Sequence, residues 1–411
     1  MNTVQQDARI IIKEALKASL PDTAVREALE NIDLSKHDRV LMVAIGKAAW
    51  QMGKAAMDVL DGKVEKGLVI TKHAHSMGDI VRTAVMEAGH PVPDEHSVAA
   101  TMQALNMVEG LTERDAVLFL VSGGGSALFE KPKVDLDEMK YITEQLLKAG
   151  CDIVEINTVR KRLSLVKGGR FALACAPAHV YAVVLSDIIG DPLDMIASGP
   201  AYPDTSTCAS AQDIVRRYRL TLSEEAKKAL NEETPKALAN VTTLVTGSVK
   251  NLCRAAADTA RALGYKPHIL TASLSCEARE AGGFLAAIAR DHQEEGSIAY
   301  IAGGETVVHV KGKGKGGRNQ ELALSSALGI ASCRNTCVFS LGSDGTDGPT
   351  DAAGGIVDEH TAHAFVRAGI DPLAELENNN AYAALKAVDA LIMTGPTGTN
   401  VNDVSVVLIK R

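Results

Sequence analysis

The sequence of 411 residues has seven cysteines but no C-x-x-C pair. An odd number without that spacing excludes a simple disulfide framework and reads as reduced, mostly buried thiols. No uninterrupted apolar stretch reaches the roughly 18 residues that a membrane-spanning helix requires. The opening segment MNTVQQDARIIIKEALKASL alternates charged and apolar residues at helical spacing and lacks the basic-then-apolar order of a secretory signal. Positive charge is not in excess, since the net charge is −8. That balance argues against duplex nucleic acid or an anionic membrane as the main partner, and the expectation is a soluble cytoplasmic protein.

Several catalytic signatures are also missing. There is no G-x-x-x-x-G-K-[ST], so the chain is not a P-loop enzyme. Neither the protein-kinase H-R-D set nor H-E-x-x-H occurs, and Ser126 is not framed by G-x-S-x-G. His73 and His75 in TKHAHS lie near a strand end, but no third ligand is evident beside them, and they read as loop residues.

What the sequence does contain is a series of short aliphatic runs that end in glycine, serine or aspartate: RVLMVAIGK, GLVITKH, AVLFLVSGGGS, HVYAVVLSDIIGD, TTLVTGS, SIAYIAGGE and TCVFSLGSDGTDG. Such strands suit parallel sheets covered on both faces, and the amphipathic segments between them indicate an α/β protein. The length favours two domains with an active site in the cleft between them. A boundary is expected near NEETPKALANV, giving an N-terminal domain over 1–235 and a C-terminal domain over 241–402. The last segment, 403–411, reads as a strand that crosses back to complete the first sheet.

The glycine and charged clusters fall at strand ends, where ligands collect in such sheets. In VSGGGSAL, residues Ser122, Gly123, Gly124, Gly125 and Ser126 form a turn whose backbone N–H groups suit phosphate or carboxylate; tight strand-to-helix packing is the alternative. Lys47, in AIGKAAW, sits where an ammonium could neutralise a transferring phosphoryl group. The stretch VVHVKGKGKGGRNQELAL satisfies G-x-G-x-x-G through Gly312, Gly314 and Gly317, yet Lys311, Lys313, Lys315 and Arg318 give it a charge density better matched to a triphosphate. Gly316 and Asn319 belong to the same candidate site. Two acidic loops, with Asp187, Asp191 and Asp194 in one and Asp344, Asp347 and Asp351 in the other, offer carboxylates for Mg²⁺ or for a hydroxyl proton. Glu305, Thr397 and Asn400 lie beside glycines and are comparably suited to ligand contact or to ordering their turns.

Taken in order, VSGGGSAL, INTVRKRLSLVKGGRFA, SDIIGDPLDMIASGPAYPD, GGETVVHVKGKGKGGRNQELAL, SDGTDGPTDAAGG and TGPTGTNVND resemble the two-domain glycerate 2-kinases with a C-terminal MOFRL domain, over nearly the whole chain. The resemblance implies a Rossmann-like three-layer α/β/α N-terminal domain, a C-terminal α/β domain, and ATP-dependent phosphorylation of D-glycerate at its 2-hydroxyl with Mg²⁺ or another divalent cation. It places catalytic roles on Lys47 and Arg318. For Asp187 and Asp191 the reading is metal ligand or general base, with Asp191 set beside the two cations and Asp187 and Asp344 as metal candidates. The partners expected are D-glycerate and the nucleotide, in a monomer or homodimer. Two rival readings are an NAD(P)H-dependent hydroxypyruvate reductase and a non-catalytic metabolite-binding regulator. Against the first, the position about 20 residues beyond the glycines, where a ribose-binding acid belongs, lies within SALGIASCRN.

Overall fold

The computed structural model describes residues 3–185 and 193–411, which divide into two compact units. One comprises residues 21–185 and 193–246, the other 3–20 together with 247–411.

In the first unit, β1 (Arg39–Ile45), β2 (Val64–Lys72), β3 (Thr83–Ala88), β4 (Asp115–Val121), β5 (His179–Leu185) and β6 (Val241–Thr246) form a six-stranded sheet in the order β3-β2-β1-β4-β5-β6. All of its pairings are parallel. This is the doubly wound order, whose topological switch point lies between β1 and β4. Ile45 at the end of β1 is in register with Val121 at the end of β4, so the Gly46–Lys47 and Ser122–Gly125 loops leave the same edge side by side. β4 is buried at every residue, as its aliphatic run DAVLFLV requires. Beneath the loop after β4, the fully buried rings of Phe119, Phe129 and Phe171 pack with centroids 4.8 to 5.9 Å apart, a rigid footing for the turn above.

The second unit contains β7 (Lys266–Leu274), β8 (Ile298–Gly304), β9 (Thr336–Gly342), β10 (Gly354–Asp358), β11 (Leu391–Ile392) and β12 (Asp403–Ile409), ordered β11-β10-β9-β12-β8-β7. Its sheet is mixed: β7 and β8 run parallel, and the other pairs are antiparallel. The helix Arg318–Gly329 packs on the helix Ala278–Asp291, where a Cβ on Gly282 would lie 2.3 Å from the Leu322 carbonyl oxygen.

Three organisational expectations are corrected. β12 does not complete the first sheet; it fills the centre of the second, antiparallel to both β8 and β9. All seven of its residues are buried, and such a strand needs a neighbour on each side to satisfy its backbone groups. β6 belongs to the first sheet, beside β5, so the division follows Thr246 and not residue 235. The N-terminal helix Thr3–Ala18 joins the second unit, where buried Asp7 accepts hydrogen bonds from Tyr265 Oη at 2.7 Å and Lys410 Nζ at 2.5 Å. All seven cysteines are free and five are buried. Among the described residues, no helix is long and apolar enough to cross a membrane.

Candidate active site

The turn after β4 is built by close backbone approach. Gly46 has φ +114°, and a Cβ there would stand 2.2 Å from Ser122 Oγ. Lys47 N donates to the Gly123 carbonyl at 2.9 Å, and Ser122 Oγ accepts from Ala48 N at 3.1 Å while facing the Ile45 carbonyl at 3.2 Å. Ser122 is therefore a buried rivet between the β1 and β4 loops, and its reading as a ligand-binding residue is corrected. Gly124 lies in the left-handed region at φ +87° and opens a single helical turn, Gly125–Leu128. Among the described residues the N–H groups of Gly124, Gly125 and Ser126 have no acceptor. The helix is too short to lend much dipole, so any anion affinity rests on these N–H groups and nearby cations.

Two side chains press on this turn. A Cβ on Gly124 would lie 3.1 Å from Lys47 Cγ and 3.1 Å from His90 Cδ2, with His90 Nε2 at 3.2 Å. Lys47 is exposed and has no ion-pair partner among the described residues. His90 was not singled out in the sequence; its motif, GHPVPD, carries no glycine-rich or charged pattern. Burial, then the adjacent Lys47, holds its imidazole below the ordinary value.

Behind the turn lies a support network drawn from INTVRKRLSLVKGG. Fully buried Lys167 donates to the carbonyls of Phe129 at 2.6 Å, Ala197 at 3.2 Å and Gly125 at 3.3 Å. Burial pushes its ammonium down to about 7, against the pull of Glu130. Arg160 reaches the Ser126 carbonyl at 2.9 Å. Ser126 Oγ contacts Ser198 Oγ at 3.0 Å, and Ser198 donates to Asn157 Oδ1 at 2.7 Å. Ala197, Ser198 and Gly199 are all left-handed, with φ of 52°, 61° and 65°. Such a conformation persists only when its surroundings over-determine it, as Lys167 and the Gly168 and Gly169 N–H groups do here. Asp194 pairs with buried Lys161 at 3.2 Å. Asp187 and Asp191 lie outside the described residues.

In the second unit, Arg318 begins the helix Arg318–Gly329 beside a cavity of about 640 Å³ whose walls include Glu305, Val308, Gly317 and Asp347. Its guanidinium is bidentate on Asp403, at 2.5 and 3.0 Å, and meets Glu305 at 3.1 Å. Burial opposes the charge, but Asp403 and Glu305 hold it above the ordinary arginine value. The N-terminus of this helix is already occupied: Asp347 accepts from Asn319 N at 3.2 Å and Gln320 N at 2.8 Å. Burial nevertheless pushes the Asp347 carboxyl up to about 7. Asn319 is buried, bonded to Asp347 and Ser340, so its reading as a ligand contact is corrected.

The lysine-glycine loop also departs from expectation. Lys311 N and Gly312 N donate to Asn379 Oδ1, Lys313 N to Asn378 Oδ1, and Lys315 N to Asn380 Oδ1, at 2.8 to 3.1 Å. Gly314 N bonds the Asn378 carbonyl at 2.8 Å. These N–H groups are spent on the asparagine triplet and form no phosphate cradle. The glycines permit that contact, since a Cβ on Gly312 would lie 2.2 Å from the Asn378 carbonyl oxygen and one on Gly317 would lie 2.3 Å from Asp347 Cγ. A Cβ on Gly316 would meet Ala381 at 3.2 Å. The same commitment removes the N–H groups a dinucleotide pyrophosphate would need. Lys315 Nζ stands 5.1 Å over the Tyr382 ring, and Lys313 is exposed. Thr397 donates to the Ser343 carbonyl and so ties its loop to the one after β9, whereas Asn400 Oδ1 accepts from Asn402 N at 3.3 Å and orders its own turn.

Comparison with known proteins bears on both units. Residues 7–231 match the family model described as Domain of unknown function (DUF4147), and residues 298–403 match the MOFRL family. A D-glycerate 2-kinase of Thermotoga maritima is 52% identical over 97% of each chain. A crystal structure of a glycerate kinase from Thermotoga maritima superposes with TM-score 0.95 at 51% identity, covering 99% of both chains. A protein of Agrobacterium vitis named as a putative hydroxypyruvate reductase is 38% identical, over 99% of this chain and 95% of its own. With its doubly wound first sheet and matched C-terminal unit, this chain belongs to the two-domain glycerate 2-kinase family with a C-terminal MOFRL domain.

Proposed function

We propose that the protein transfers the terminal phosphoryl group of ATP to the 2-hydroxyl of D-glycerate, yielding 2-phosphoglycerate and ADP. The observation that carries the reading is the turn after β4: three N–H groups that find no acceptor, beside an ammonium that finds no ion-pair partner, among the described residues, at the switch point of a doubly wound sheet. Phosphoryl transfer asks chiefly for positioning and countercharge. Lys47 and the Gly124–Ser126 N–H groups neutralise charge on the transferring group or on the glycerate carboxylate, and Ser126 offers a hydroxyl to the same ligand. In the second unit, Arg318 is the other cation to which the family resemblance gives a catalytic role, its guanidinium held in a bidentate pair by Asp403. As the hydroxyl oxygen bonds to phosphorus, the bond to the bridging oxygen breaks and its electron pair leaves with ADP. The hydroxyl proton passes to a general base, a role for which Asp187 and Asp191 are the candidates in the sequence.

Asp344 is the candidate ligand for a hard cation. It stands beside Gly342, where a Cβ would lie 3.3 Å from its Oδ1, whereas both oxygens of neighbouring Asp403 are engaged by Arg318. Asp344 would hold Mg²⁺, which supplies countercharge to the nucleotide phosphates. Reduced cysteines support a cytoplasmic setting.

Incubation with ATP, Mg²⁺ and D-glycerate, followed by phosphorus NMR, tests the reading. It predicts the resonance of 2-phosphoglycerate and no oxidation of NADH by hydroxypyruvate. A 3-phosphoglycerate product, or NADH turnover, would overturn it.

A further inference from the structure

Of the two histidines of TKHAHS, His73 meets two further potential ligands in the fold, Asp94 and His96, whereas His75 does not join that group. His73 directly follows β2, and its backbone N–H is tied to the Ala88 carbonyl at the end of β3. Asp94 caps the helix Glu95–Met107, and His96 stands in that helix's first turn. The two carboxylate oxygens of Asp94 divide their work. Oδ1 accepts from Ser97 N at 2.9 Å and Ser97 Oγ at 3.1 Å, which fixes the plane of the group. Oδ2 faces His73 Nε2 at 2.8 Å and His96 Nδ1 at 3.5 Å.

One oxygen thus draws two imidazole nitrogens. The first is at hydrogen-bond distance, whereas the second is too far for a good bond of its own. The rings meet edge to face at 89°, with centroids 5.4 Å apart, so each turns a nitrogen toward the shared oxygen without stacking on the other. All three donor atoms lie within 4.8 Å of one another. Bond lengths of about 2.0 to 2.2 Å put the ligand atoms of a tetrahedral zinc site about 3.3 Å apart, so modest motion of exposed side chains closes the set.

We propose that His73, Asp94 and His96 bind one divalent transition-metal ion, of which Zn²⁺ is the representative, with solvent completing its coordination. Two imidazoles and a carboxylate select a borderline-soft ion, whereas Mg²⁺ requires oxygen donors. The site is therefore chemically separate from the metal that accompanies the nucleotide. The ion links the end of β2 to the start of the helix Glu95–Met107, on either side of the segment that carries His90.

Zn²⁺ titration of the full-length chain against a chelating dye tests this. One equivalent binds to the parent, and excess Mg²⁺ does not displace it. Loss of a direct ligand weakens binding by at least about tenfold, the lower end of what loss of a supporting contact costs, in His73→Ala and in His96→Ala alike. His96→Gln, a milder change, gives the same loss, and His75→Ala binds as the parent does. Metal-free thermal melts that coincide exclude misfolding as the cause. Parent-like Zn²⁺ affinity in either His73→Ala or His96→Ala overturns the proposal.

Discussion

Gly124→Ala and Gly62→Ala form a matched pair that separates backbone strain from displacement of the site. Gly124 has φ +87° and Gly62 has φ +78°, so alanine in either place adopts a left-handed conformation at a cost of about 1 to 2 kcal/mol. Around Gly62 a new Cβ meets nothing within 4 Å, but at Gly124 it stands 3.1 Å from both Lys47 and His90. Those side chains must give by a few tenths of an ångström or more. Misplacement of a reacting group by about 1 Å costs up to about 100-fold in rate. Urea melts should therefore show similar destabilisation in the two variants. Steady-state assays should show kcat/KM for D-glycerate falling by roughly 10- to 100-fold in Gly124→Ala alone. Equal activity in the two variants would refute the assignment of this turn to the site.

Lys167 gives a pH test. Its ammonium titrates at about 7 in the fold, against 10.5 for an unperturbed lysine. Below pH 7 folded and unfolded chains are both charged there; above it the folded chain sheds the proton first, so stability relative to Lys167→Met should rise from pH 7 toward 10.5 by up to about 1.4 kcal/mol per unit. A pH-independent difference between the two proteins would contradict that linkage. Asn379→Ala strips the acceptor from Lys311 N and Gly312 N and should cost about 1 to 3 kcal/mol, with faster hydrogen exchange at those two amides. Unchanged exchange would mean the loop does not depend on this side chain.

How much of this was legible in the sequence depends on the range of the interactions. The central strands β1, β4 and β5 announce themselves because burial on both faces demands uninterrupted aliphatic residues. The edge strands β3 and β7 do not: they are largely half-buried or exposed, and TAVMEA and KPHILTASL carry no continuous apolar run. The last strand is readable as a strand, but its place between β8 and β9 is set by partners scores of residues away. Within the site, Ser122 and Ser126 are the same residue type four positions apart, one turned inward to the β1 loop and the other toward Ser198. Only the fold separates them. The lysine-glycine loop reads as a phosphate cradle until its N–H groups meet Asn378, Asn379 and Asn380, 65 to 68 residues onward, a partnership for which the sequence offers only the bare triplet.

Single-turnover phosphoryl transfer by Lys47→Met bears most directly on the claim that this ammonium answers charge developing on the transferring group. A loss of about 10²-fold or more in the chemical step, with KM for D-glycerate and ATP altered far less, is the predicted result. A chemical step within a few-fold of the parent, in a variant that melts like the parent, would contradict it.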